Sequence, residues 1–134
     1  MPLMGEEALT AMARDLGARL PAGSIVWLEG ELGAGKTTFA RALAQGLGAL
    51  REAASPTFGL VHCYPGPRGA VYHVDCFRLR HAEEAGELDW GTMAGGAALL
   101  IEWPSRAGAW APVPTCSVRL THVDDPALRQ VEIR

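Results

Sequence analysis

Apolar residues along this chain follow two periods, and the points where one gives way to the other mark out its elements. Leu9, Met12, Ala13, Leu16 and Leu20 recur three and four positions apart, which predicts an amphipathic helix over residues 5–20 ending near Pro21-Ala22-Gly23. Ser24-Ile25-Val26-Trp27-Leu28 is a short, partly β-branched apolar run that predicts a buried strand. Phe39, Leu43 and Leu47, with Ala40 and Ala44 beside them, return to helical spacing, and Gly46 and Gly48 close that second helix. Pro56 disfavours helix at Ser55 and turns or extends the chain there.

The second half is mainly of strand character. Phe58 to Tyr64 and Ala70 to Asp75 flank Pro65-Gly66-Pro67-Arg68-Gly69, the arrangement of a hairpin. From His81 to Leu88 the residues are polar and helix-favouring. Ala97-Ala98-Leu99-Leu100-Ile101 is unbroken apolar sequence ending on Glu102, as expected of a central parallel strand. Thr115 to Val123 alternates, with Val118, Leu120 and Cys116 on one face; Asp124-Asp125-Pro126 turns the chain, and Arg129 to Arg134 predicts a final edge strand.

Between the first strand and the second helix lies Gly30-Glu31-Leu32-Gly33-Ala34-Gly35-Lys36-Thr37-Thr38, which satisfies G-x-x-x-x-G-K-[ST]. Strand, glycine loop and helix come in the order that a phosphate-cradling loop requires. The glycines let successive N–H groups face phosphate oxygens, and the helix starting near Lys36 adds further N–H groups and its dipole. Lys36 supplies a charge for the β- and γ-phosphates, and the Thr37 hydroxyl a ligand for Mg²⁺. It is the single lysine among the 12 basic residues. Glu29 and Glu31 must point away from such a site, because a carboxylate facing phosphate repels it. The expected fold class is therefore α/β and P-loop NTPase-like: a mostly parallel central sheet flanked by helices, with antiparallel edge strands, in one domain over residues 1–134.

Composition narrows the function. The net charge of −3 gives no footprint for direct, non-specific nucleic-acid binding. No apolar run approaches the length of a membrane span, and the first residues lack a secretory h-region. Cys63, Cys76 and Cys116 lack C-x-x-C spacing and fit a reducing cytoplasm. The chain contains no asparagine, hence no N-K-x-D guanine-reading motif, and this favours ATP over GTP.

Other residues could complete a nucleotide site. Glu102, ending an apolar strand, stands where phosphate-loop enzymes hold Mg²⁺, although a charged residue ending a strand is also ordinary. Asp75 and His73, two residues apart at the end of another strand, could position or deprotonate an attacking water, or form a buried hydrogen bond with no catalytic part. Ser55 and Thr57 offer hydroxyls for sensing the γ-phosphate or for capping their own turn. Trp103 could stack on a base, anchor a partner or simply pack. Zinc binding by His62, Cys63, His73 and Cys76 matches no known ligand framework.

Taken together, the loop at residues 30–38, Ser55-Pro56-Thr57-Phe58, His73-Val74-Asp75-Cys76-Phe77-Arg78-Leu79 and Ile101-Glu102-Trp103 resemble the bacterial TsaE (YjeE) family, small ATPases needed to make N6-threonylcarbamoyladenosine in tRNA. The resemblance runs from the first helix to Pro104. It implies ATP and Mg²⁺ bound by the loop, Thr37 and Glu102, with Asp75 needed for hydrolysis and the segment from Ser55 to Phe58 acting as a switch. It also implies a TsaB–TsaD pair as protein partner, with tRNA reached indirectly through that complex. Phe77 stands where the family usually has tyrosine, and Cys76 where an aliphatic residue is more usual. Two rivals remain on the residues alone. One is a small-molecule kinase, for which 134 residues leave little room for a lid and an acceptor pocket. The other is a nucleotide-gated binding module without turnover.

Overall fold

A computed structural model describes residues 2–49, 51 and 60–134. The described strands form one seven-stranded sheet of order β1-β7-β6-β2-β5-β4-β3. They are β1 (Leu3–Gly5), β2 (Ser24–Gly30), β3 (Val61–Tyr64), β4 (Val71–Asp75), β5 (Ala98–Glu102), β6 (Cys116–His122) and β7 (Leu128–Ile133). Strands β6, β2, β5 and β4 are mutually parallel, and β3 on one side and β7 and β1 on the other run antiparallel to their neighbours. This is the α/β class expected, and the apolar run at β5 is central as its composition demanded: all five of its residues are buried.

Alternation along the strands assigns the two faces. On one, Val26 and Leu28 of β2, Leu100 of β5 and Val118 and Leu120 of β6 pack against α1 (Glu6–Arg19) and α2 (Lys36–Gly46). The two helices cross with their backbones in contact. A Cβ on Gly17 would stand 2.2 Å from the Leu43 carbonyl oxygen, and one on Gly46 2.1 Å from that of Arg14. On the opposite face Leu99, Ile101 and Val74 are covered by 3-10 turns at Cys76–Arg78, Ala82–Glu87 and Pro104–Trp110 and by the short α3 (Trp90–Ala94).

Three expectations change. The last strand is not an edge: β1 pairs with β7 and takes that position. Three residues are too few to show a period, so nothing in the sequence marked β1. The polar stretch after His81 forms 3-10 turns in place of an α-helix, and α3 and the turns from Pro104 to Trp110 were likewise unmarked. The first strand of the hairpin runs Val61–Tyr64; its predicted start at Phe58, like Ser55 and Thr57, lies outside the described residues.

Because β6, β2, β5 and β4 are parallel, their carboxyl ends lie together at one end of the sheet. Gly30, Asp75, Glu102 and His122 all end strands there.

Candidate functional site

The glycine loop leaves β2 at that end and enters α2 through Gly35, whose φ of 101° is left-handed and closes the loop onto the helix. Lys36, the first helical residue, folds its side chain back inside the loop. Its ammonium donates to the carbonyl oxygens of Gly30 (2.8 Å) and Glu31 (2.7 Å) and stands 4.5 Å from the centre of the Trp103 ring. Burial lowers the Lys36 pKa, an effect opposed by the carboxylates of Glu102 and Asp75. The Glu31 side chain is exposed, and Glu29 is directed at Arg119 of β6 (3.3 Å), so Glu29 points away as expected.

Sheet register assembles the acidic groups. Asp75 of β4 and Glu102 of β5 are direct partners in the parallel ladder, and His73, two residues earlier, shares the face of Asp75. Glu102 is 3% exposed and held from two sides. The His73 Nε2 lies 2.5 Å from its Oε2, and the Thr37 hydroxyl is 3.1 and 3.0 Å from its two oxygens. Burial pushes the Glu102 pKa up, but the bond and charge of His73, the Thr37 hydroxyl and the Lys36 ammonium together outweigh it and hold the carboxyl below its ordinary range. A hydroxyl and a carboxylate about 3 Å apart are hard oxygen donors at the separation of neighbouring ligands around Mg²⁺, roughly 2.9 Å for bonds of 2.0–2.1 Å. Among the described residues no cluster of three or more His, Cys, Asp or Glu side chains is placed to hold a metal, so a cation here would draw its remaining ligands from water or from phosphate. The Cys76 thiol is pushed up to about 12 by burial and by the charges of Asp75 and Glu102, which makes it inert.

Asp75 caps the turn that follows it, accepting from the Phe77 N–H at 3.0 Å. Phe77 stacks on Trp103 with ring centres 5.1 Å apart, and the Arg106 guanidinium lies 4.6 Å from the Phe77 ring. Trp103 is the one non-glycine with positive φ among the described residues (φ 57°, ψ 50°). Two clefts flank the loop. The smaller, about 340 Å³, is lined by Lys36, Thr37, Asp75, Phe77, Glu102 and Trp103 together with the loop glycines. The larger, about 840 Å³, lies between Ala34, Gly35, Thr38 and Phe39, the start of α1 and the β6–β7 turn. Gly35 and Thr38 border both.

Lys36, Thr37, Thr38, Asp75, Glu102 and Trp103 are thus brought together, while His73 stands behind Glu102, 2% exposed. Two contributors went unnoticed in the sequence: His122 and Arg129 of the C-terminal strands bond to the loop. No motif marks them; the alternation that places them on strands was their only trace.

The likeness to known proteins extends over nearly the whole chain. The family described as "Threonylcarbamoyl adenosine biosynthesis protein TsaE" matches residues 3–131. A tRNA threonylcarbamoyladenosine biosynthesis protein TsaE of Rickettsia bellii is 36% identical over 124 residues, covering 92% of this chain and 86% of that protein. One of Nostoc sp. is 39% identical over 122 residues, 88% and 74% of the two chains. The crystal structure of Bacillus subtilis YdiB superposes with a TM-score of 0.75 at 26% identity, covering 97% of this chain and 80% of that one. The glycine loop, the Asp75 strand and the Glu102 strand therefore sit in a fold and a sequence of matching kind, and this chain belongs to the TsaE family of threonylcarbamoyl adenosine biosynthesis proteins.

Proposed function

We propose that the chain is a Mg²⁺-dependent ATPase that serves threonylcarbamoyl adenosine formation in tRNA as partner of a TsaB–TsaD pair. The observation that carries this reading is the convergence of Lys36, Thr37, Asp75 and Glu102 on one cleft beside the glycine loop. In it the triphosphate lies along the loop N–H groups, with the Lys36 ammonium on its β- and γ-oxygens. Thr37 and Glu102 would hold Mg²⁺, which would supply positive charge to offset that of the phosphates. His73 keeps Glu102 ionised and oriented without touching the nucleotide. Asp75 lines the cleft, and with one oxygen fixed by the Phe77 N–H its carboxylate orients the attacking water. Trp103 packs over Lys36 at the cleft wall. The nucleoside extends past Gly35 and Thr38 into the larger cleft, and the missing asparagine motif favours adenine over guanine.

The acidic net charge supports a division of labour in which partner proteins handle the RNA. The decisive experiment is a tRNA modification assay reconstituted with TsaB and TsaD, run with this chain, without it, and with Lys36→Ala. Sustained modification with the wild-type chain only is expected. Equal product in all three overturns the reading.

A further inference from the structure

Five consecutive carbonyl oxygens of the loop, from Gly30 to Ala34, each accept a bond from a side chain. Lys36 takes the first two from within. The other three are held from the C-terminal strands: Leu32 by His122 Nε2 (3.2 Å), Gly33 by Arg129 Nη2 (3.3 Å) and Ala34 by Arg129 Nε (3.2 Å). His122 and Arg129 are direct partners at the end of the β6–β7 ladder, so the two donors are presented as a pair. Arg129 is itself anchored, its Nη1 donating to the carbonyls of Pro126 and Leu128 at 2.8 Å each. All three guanidinium nitrogens are used, which a planar fork permits and an ammonium does not.

In a trans peptide the carbonyl and the following N–H point in opposite directions. Holding the Leu32 and Ala34 carbonyls from the β6–β7 side therefore turns the N–H groups of Gly33 and Gly35 the other way, and both glycines line the smaller cleft. The Ala34 N–H is used differently, donating to the Glu31 carbonyl at 3.1 Å and closing the turn. A loop so held meets an anion with its donors already aimed, and the cost of ordering it is met in folding instead of in binding.

We propose that Arg129, seconded by His122, is a positioning residue for nucleotide binding: it holds the outer carbonyls of the loop so that the inner N–H groups face phosphate. This rests on the reading of the loop as an ATP site and adds a part played by the C-terminal strands. The test uses the full chain, with affinities for Mg²⁺-ATP and Mg²⁺-ADP by titration calorimetry, thermal melts, and amide NMR of the nucleotide-free protein. Arg129→Ala is expected to weaken both nucleotides about tenfold, as when charged hydrogen bonds that order a binding loop are lost. It should raise KM for ATP while leaving kcat within about twofold, since the reacting groups are untouched. The amide signals of Gly33 and Gly35 should move before any nucleotide is added. Arg129→Lys should recover only part of the affinity, and His122→Ala should lose about threefold, the scale of one hydrogen bond. Wild-type affinity in Arg129→Ala, unmoved Gly33 and Gly35 signals, or full rescue by lysine would each overturn the proposal. A wild-type chain that binds neither nucleotide removes the ATP reading itself, a failure visible before any substitution is made.

Discussion

His73 and Glu102 sit on neighbouring parallel strands with the imidazole Nε2 2.5 Å from the carboxylate Oε2, and both side chains are almost wholly shut off from solvent. The relationship makes Glu102 a fixed anion. His73→Ala leaves that charge buried with a hydroxyl and a more distant ammonium for support, and should cost about 3 kcal/mol of stability, the scale for removing one partner of a buried charge. Urea unfolding at neutral pH measures it; a loss below about 0.5 kcal/mol would mean that the contact contributes little.

The same pair sets a pH dependence. In the folded chain the Glu102 carboxyl is held below its ordinary 4.5, so the unfolded chain takes up that proton first as pH falls. The contribution is full above about 4.5 and is lost as pH drops through the lower folded value. Glu102→Gln has no proton to gain, so the stability gap between wild type and variant should narrow from pH 7 toward pH 3. Parallel stability curves across that range would remove Glu102 as the source.

Binding and hydrolysis should separate at two residues of the cleft. Lys36→Ala should weaken Mg²⁺-ATP at least about a hundredfold, the loss expected of a charged contact to phosphate. Its melting temperature should stay within a few degrees, because burying the ammonium already works against the charged form. Asp75→Asn keeps the oxygen that accepts from the Phe77 N–H, so the turn should survive, with hydrolysis down about a hundredfold and binding within about threefold. Titration calorimetry beside phosphate release gives both quantities, and equal losses in the two would remove the distinction.

Trp103 combines a left-handed backbone with a ring packed over Lys36 and Phe77. Alanine and glycine both delete the ring, but only glycine adopts φ 57° without cost. Trp103→Gly should therefore be more stable than Trp103→Ala by about 1 kcal/mol. Identical unfolding midpoints would show that the backbone at this position relaxes.

Gly30 and Gly33 both have positive φ, yet their surroundings differ. A Cβ on Gly30 would lie 2.2 Å from the Leu120 carbonyl oxygen of β6, whereas one on Gly33 meets nothing within 4 Å. Gly33→Ala should cost about 1 kcal/mol of backbone strain, and Gly30→Ala about 3 kcal/mol or more because it must part β2 from β6. Comparable melting temperatures for the two variants would contradict the close approach.

Much of this was legible along the chain because the features concerned are contiguous. The loop at residues 30–38 works through neighbours within one turn of backbone, and β2, α2 and the buried β5 each carry their own period. Glu102 and Asp75 could be read as strand ends facing a site. Legibility failed where elements are too short to repeat, as in β1 and α3, and where a contact joins distant parts of the chain. Arg129 reaches the loop across 95 and 96 residues of sequence, and nothing local to it foretells the contact.

Local spacing along the chain was enough to specify the glycine loop, the class of fold and the carboxylates at the strand ends, since it fixes helix faces and strand alternation without reference to distant segments. Folding was needed to bring Asp75 opposite Glu102, to set His73 behind the carboxylate, and to make the C-terminal strands grip the loop from outside. Those relations depend on strand order and register, which arise from pairing between segments far apart in the chain and leave no periodic mark in any one of them.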